Sequence, residues 1–448
     1  MLVHRLWAAV LAVLAATIVS AQVQSPLAIV NVTVVDVANG LLLADRTVTI
    51  AGGRIQSVVA GTPASPRGVR VVDGRSKYLI PALWDMHVHL SYARSSALPA
   101  LVAHGVSYVR DVGSRLAELD EWSGEIAAGR MVGPLILRAG PILNGQEFNR
   151  YQLAITTAEE ARATVRTLEK VGVDLVKVHR RTPREAYFAV AEEARRLSLP
   201  LAGHIPVTVT PAEASNAGQV TIEHVDTLFE GTFTAALDGV PLPEAISRWR
   251  SSTSAQELFA TFVRNGTVID PTVINGRWIV SWLENPVDLR DKHIAASALR
   301  EAAAMLEPLR QDAAKMLAER RPLTRELEAV VGQMHRAGVR LVTGTDLSFL
   351  FVPGASLHDE LQALVGVGLS PAAALRAATL NPAQLFPTLD AGIIAVGKRA
   401  DLLLLDGNPF EDIRNAARIR AVILAGRLLD RAVLDALLSD AAARAAVN

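Results

Sequence analysis

Cysteine is absent from all 448 residues, which rules out disulfides, thiolate metal ligands and a lipid-modified cysteine at an export cleavage point. Any metal must therefore be held by nitrogen and oxygen. Charge of one sign is missing as well: 45 basic and 45 acidic side chains cancel, so bulk charge argues for no nucleic-acid partner and no strongly acidic substrate. Long apolar runs are confined to the start. His4 and Arg5 precede an apolar stretch from Leu6 to Val19 that closes on Val19-Ser20-Ala21 before Gln22, the pattern of a secretory signal peptide over 1–21. That run is short for a membrane span, and no later stretch reaches ~18 uninterrupted apolar residues. The expectation is an exported protein, periplasmic or extracellular, with no membrane association after signal removal. No Gly-x-Gly-x-x-Gly follows the first strand of the middle region, which weighs against a dinucleotide fold.

Half of the residues are hydrophobic, enough for one large barrel with an appended domain or for two or three ordinary domains. The two ends read as β structure. Ile29 to Val35, Arg46 to Ile50 and Ile55 to Val59 are short strands near the start, and Leu402 to Leu405 and Ile419 to Leu424 return the same texture near the finish. One small sheet domain built from both termini (22–79 with 389–448, including a terminal helix) explains this; two independent hairpin appendages explain it too.

Between them, over 80–388, one grammar repeats: a helix ends at glycine and a short apolar strand follows. The joints are His104-Gly105, Val171-Gly172, Ala217-Gly218, Asn265-Gly266 and Ala337-Gly338. Thr182-Pro183-Arg184-Glu185 and Thr210-Pro211-Ala212-Glu213 read as capping boxes that start the intervening helices. Strands are expected to open at Ile80, Val106, Leu135, Val173, Leu201, Val220, Thr267 and Val339. Eight alternating units predict an α/β fold, a (β/α)8 barrel. The 272–338 interval is long for one crossover and is helical in pattern; it is read either as a lid over the site or as an enlarged outer ring.

In such a barrel the chemistry sits at the C-terminal ends of the strands. Ile80 to Leu90 ends in His87-Val88-His89, whose i, i+2 spacing points both imidazoles to one face of a strand. Alone, this pair is as well explained by ordinary half-buried histidines. Four more strand ends add Lys177, His204, His224 and Asp346 to the same rim, and the set together reads as a metal site. His104, His293, His335 and His358 fall in helices or turns and are read as structural.

This set, with Gly344-Thr345-Asp346 and Val396-Gly397-Lys398-Arg399-Ala400-Asp401-Leu402 around it, resembles the amidohydrolase superfamily, in the branch of imidazolonepropionase-like and prolidase-like dipeptidase proteins. The resemblance implies a distorted (β/α)8 TIM barrel with a β-sandwich from both termini. It implies two divalent metal ions, zinc by donor type although other first-row metals fit. His87, His89 and Asp346 would hold one ion, His204 and His224 the other, and a carbon dioxide-derived carbamate on Lys177 would join them. Asp346 would serve as catalytic base for a metal-bridged hydroxide attacking a peptide-like amide of a small-molecule substrate, a dipeptide or N-acyl amino acid. A mononuclear deaminase, a lactone or ester hydrolase, and a catalytically inactive binding barrel are the alternatives. His179 stands where similar sequences carry a substrate-binding tyrosine. Arg138, Arg180 and Arg181 are candidates for a substrate carboxylate, and a homo-oligomer is left open.

Overall fold

The computed structural model describes residues 25–61, 68–285, 291–348 and 351–447. The expected export signal at 1–21 lies outside them. Among the described residues no helix is long and apolar enough to cross a membrane.

The middle of the chain forms a ring of short parallel strands. Leu83–Val88, Val106–Asp111 and Leu135–Arg138 make one sheet. Val176–Val178, Leu201–Gly203, Gln219–Glu223, Val268–Asp270 and Arg340–Leu341 continue in a second, with Ile142–Asn144 paired to its first member. The third position of the ring is thus shared by Leu135–Arg138 and Ile142–Asn144. Asp174 N donates to Arg138 O at 2.9 Å across the break. On the other side Met86 N donates to Thr343 O at 2.8 Å, and Val88 bridges Leu347, so the last strand meets the first. These two weakly paired seams are what make the (β/α)8 barrel a distorted one.

All five helix–glycine–strand joints are present. Gly105, Gly172, Gly218, Gly266 and Gly338 have φ between 69° and 91°, the left-handed conformation that ends a helix without a Cβ penalty. Thr210 forms the expected capping box with Glu213 ahead of Pro211–Asn216. Thr182 does not. The helix Arg184–Arg196 starts after Pro183 with no side-chain cap, because the Thr182 hydroxyl is drawn to Leu143 O and His179 O and ties the third strand position to the fourth. Ile80 also falls outside the barrel. It belongs to Tyr78–Pro81, which pairs with Leu402–Leu405, and the first barrel strand begins at Leu83.

The terminal segments form one eight-stranded sheet, in which Leu27–Asp36, Leu41–Ala51, Arg54–Ala60, Arg70–Asp73 and Tyr78–Pro81 join Leu402–Leu405, Ile419–Leu424 and Arg427–Asp430. Alternation along these strands serves two cores at once. Leu402 and Leu404 pack with Ile29, Val34 and Leu79 inside the sheet domain, whereas Leu403 and Leu405 pack into the barrel core. The final helix Arg431–Val447 docks on Ala97–Ala103. Among the described residues the 272–338 interval holds three helices, Val273–Glu284, Ala296–Arg310 and Ala313–Arg336.

Leu403 is fully buried at the seam between the two cores. Leu403→Ala is expected to lower the unfolding free energy by about 2–5 kcal/mol, measured by denaturant titration followed through tryptophan fluorescence.

Candidate metal centre

The first strand carries Asp85 and His87 at alternate positions, His89 follows directly on its end, and each is fixed differently. Asp85 is fully buried; it accepts His87 N at 3.2 Å, Thr345 N at 3.0 Å and Thr345 Oγ1 at 2.6 Å. Burial pushes its carboxyl up to about 7 against the opposing pull of those bonds. Asp85 thereby fastens the end of the first strand to Gly344-Thr345-Asp346. A Cβ at Gly344 would sit 2.2 Å from Asp270 Oδ2 and 2.6 Å from the His87 Cβ, so only glycine lets these segments close.

Around that contact the imidazoles converge on Asp346. Its Oδ1 lies 3.5 Å from His87 Nε2 and 3.3 Å from His89 Nε2, and its Oδ2 lies 4.0 Å from His224 Nε2. His89 Nδ1 donates to Gly113 O at 3.2 Å, and His224 Nδ1 is bonded to Thr272 Oγ1 at 2.7 Å. With Nδ1 occupied, Nε2 is the atom that faces inward, the arrangement typical of metal-binding histidines. His224, Thr272 and Asp346 all have φ between 45° and 63°, strained backbone that clusters at functional sites.

The other side of the group is built by the fourth and fifth strands. The His204 ring centroid is 4.9 Å from that of His224 and 4.2 Å from that of His179. A Cβ at Gly203 would meet Val178 O at 2.1 Å, so glycine lets the strand carrying His204 press against the one carrying Lys177. Lys177 is 1% exposed. Burial pulls its amine down to about 8, although Glu223, Asp346 and Asp270 favour the charged form. Burial also holds His87 and His204 well below the usual imidazole range, hence neutral. Asp346, ringed by His87, His89 and His224, is held below the usual carboxylate range against the cost of burying it.

This donor set fits a divalent cation. His87 Nε2 and His204 Nδ1 are buried with no hydrogen-bond partner, and an unpaired buried nitrogen is costly unless a ligand completes it. Neutral imidazoles beside a carboxylate are what a first-row ion takes. The ligating atoms of His87, His89 and Asp346 lie within 4.8 Å of one another.

Beneath the histidines lies a layer that strand-end reading touched only in part. Arg110, 1% exposed, donates to Met86 O at 2.6 Å, to Thr221 Oγ1 at 2.7 Å and to both Glu223 oxygens at 2.9 Å. Glu223 Oε2 in turn approaches His87 Nδ1 at 3.2 Å. Burial raises the Glu223 pKa, but the Arg110 guanidinium overrides it and holds Glu223 ionised. Asp270, buried beside that charge and with neither oxygen hydrogen-bonded, is pushed well above the carboxylate range. Asp270 closes the seventh strand, so the rule that singled out His204 and His224 points to it as well. Glu360 carried no such signal. It is buried in the helix Ala355–Gly366 and accepts Val273 N at 3.0 Å and Ile274 N at 2.9 Å, which secures the turn holding Thr272.

The structure brings His87, His89, Lys177, His204, His224, Asp346 and His179 together. It does not bring Arg138 with them. That guanidinium is paired with Asp120 and donates to Val171 O at 3.2 Å and Gly172 O at 3.1 Å, because two unsatisfied carbonyls at the end of Ala158–Lys170 lie within its reach. Arg181 lies over the Phe148 ring. Arg180 lines the cavity above Asp346 and pairs with Glu230 at 3.0 Å. Of the other histidines, His358 donates through Nε2 to His104 O at 2.9 Å, and His293 Nδ1 is 2.9 Å from Asp291.

A closed parallel ring with histidines and a carboxylate on one rim is a barrel-type active site whose donors suit a divalent ion. The chain belongs to the amidohydrolase family, whose model matches residues 78–429. Adenine deaminase 2 of Agrobacterium fabrum is 28% identical over 404 residues, 89% of this chain and 56% of that protein, so the chain spans about half the length of that relative. Among solved structures, a candidate prolidase from Bifidobacterium longum is 28% identical, with a TM-score of 0.68 over 93% of this chain and 99% of that one. Bottromycin amidohydrolase is 25% identical, with a TM-score of 0.75 over 93% of this chain and 90% of that one.

Arg110→Met leaves Glu223 as an uncompensated buried charge. The expected cost is about 3–5 kcal/mol of stability, read by chemical denaturation, together with a lower affinity for added zinc in a competition titration.

Proposed function

We propose that this protein hydrolyses an amide bond in a small peptide-like substrate, a dipeptide or an N-acyl amino acid, at a dinuclear centre. The observation that carries the reading is the meeting of His87, His89 and His224 nitrogens at the two oxygens of Asp346, with His204 and the buried Lys177 alongside. A pair of divalent ions, zinc by donor preference, supplies when bound a polarised carbonyl and a water of lowered pKa.

The chain's own residues do the rest. His87, His89 and Asp346 would hold one ion, and His204 and His224 the other. Lys177 would join them as its carbamate, since an ammonium repels a cation whereas a carbamate offers two anionic oxygens. Asp346 accepts the proton of the attacking water and returns it to the leaving amine. Asn275 Nδ2 donates to Asp346 Oδ2 at 3.1 Å and keeps that carboxylate oriented. His179, whose ring centroid lies 4.2 Å from that of His204, would contact the substrate. The pattern at 1–21 supports action outside the cytoplasm.

Deamination is the second reading, favoured by the similarity to an adenine deaminase along 89% of the chain. Lys177 weighs against it, because one ion needs no bridging group.

Elemental analysis of the purified protein is expected to find about two divalent ions per chain; one ion, with ammonia released from adenine, would establish the deaminase reading instead. Asp346→Asn is expected to lower kcat on dipeptides or N-acyl amino acids by about 10²- to 10⁴-fold while most of the metal is retained. Unchanged turnover would remove Asp346 from the base role.

A further inference from the structure

Two cavities meet above the histidines. The inner one, about 240 Å³, has His224 and Asp346 on its floor and Ile279 and Leu327 on its wall. The outer one, about 640 Å³, is lined chiefly by apolar groups, among them Phe229, Leu242, Met316 and Pro322. Asp226, Arg320 and Leu323 border both and form the neck between them. The inner cavity alone falls short of the roughly 300 Å³ at which small-molecule pockets begin. A ligand reaching the reacting centre must therefore extend through the neck.

Of the two arginines that line these cavities, Arg180 and Arg320, Arg320 is the unpaired one among the described residues. Arg180 pairs with Glu230 at 3.0 Å, Arg250 with Glu326 at 2.7 Å, Arg277 with Glu328 at 2.6 Å, and Arg321 with Glu284. Arg320 has no ion-pair partner among the described residues, and Asp226 shares the neck without pairing to it. A free guanidinium opening onto the same small cavity as Asp346 suits bidentate recognition of a carboxylate.

We infer that Arg320 is a specificity-determining residue that binds the α-carboxylate of the substrate's amino-acid portion, and that the outer chamber takes that residue's large apolar side chain. This rests on the amide-hydrolase reading. In an N-acyl or aminoacyl amino acid the carboxylate sits on the carbon attached to the scissile nitrogen, so its binding group must open onto the cavity that holds the reacting centre, and Arg320 lines the same cavity as Asp346. The side chain branches from that same carbon and needs a separate space, which the chamber beyond Leu323 provides. The substrate class is the N-acylated or aminoacylated form of a large apolar amino acid such as phenylalanine or leucine.

The test is calorimetric binding of L-phenylalanine and L-phenylalaninamide to the metal-loaded protein, which needs no turnover. The acid is expected to bind about tenfold or more tightly than the amide. Metal ions alone could impose that preference, so the deciding variant is Arg320→Met, which is expected to remove most of it; Arg320→Lys is expected to restore a part. Arg320 is solvent-exposed, so neither change disturbs packing. Leu323→Asn, which adds polarity without charge, is expected to weaken both ligands while preserving the preference for the acid. A preference that survives Arg320→Met, or that is absent from the unaltered protein, overturns the assignment. If N-acyl amino acids are hydrolysed in that case, the amide reading stands without it. If the Arg320-dependent preference is found and no amide is cleaved, the carboxylate site stands and the amide reading falls.

Discussion

One buried cation organises the interior of the barrel. The Arg110 guanidinium reaches Met86 on the first strand, Thr221 and Glu223 on the sixth, and comes within 3.6 Å of Asp270 on the seventh. A full charge removed from water is tolerated only when it is paired and fully hydrogen-bonded. Those requirements fix the relative positions of three strands more tightly than apolar packing would. Glu223, held ionised by Arg110, then confronts His87, so the ion pair in the core sets the orientation of the first histidine at the rim.

The histidines are positioned by the same economy of polar groups. Each buried ring has two nitrogens to satisfy, and His89 and His224 use Nδ1 on Gly113 O and Thr272 Oγ1, which turns Nε2 inward. Thr272 is itself held through Glu360, on a helix more than eighty residues further along the chain, whose carboxylate collects two backbone N–H groups at the start of Val273–Glu284. Burial keeps His87 and His204 neutral while Asp346 stays anionic. Neutral imidazole next to carboxylate is the protonation state that cation binding demands.

Substrate access is built from elements that lie outside the repeating grammar. The helices Val273–Glu284 and Ala313–Arg336 of the long crossover supply one wall of the inner cavity, and the short turns after His224 supply the outer chamber. The terminal sheet stays away from the chemistry; it shields one end of the barrel through Leu403 and Leu405, whose neighbours Leu402 and Leu404 face the opposite core. The crossover, free of the packing constraints on the strands, is where one member of this family can differ from another in what it admits.

Much of this was legible in the chain by itself, because the governing rules are local. Helix ends at Gly105, Gly172, Gly218, Gly266 and Gly338 require a left-handed residue, and two histidines at i, i+2 on a strand must share a face, whatever surrounds them. The barrel and the rim residues follow from such rules; the pairing of the two β-rich termini into one sheet does not, since separate hairpins fit the same residues. What the tertiary structure alone decided are the choices made by competition between distant groups. Thr182 gave up its cap for Leu143 O, Arg138 turned to the end of Ala158–Lys170, and Ile80 joined Leu403 across the terminal sheet. Arg110 and Glu360 acquired their roles only once folding had excluded water, since a buried polar group is defined by its partners and local sequence does not name them.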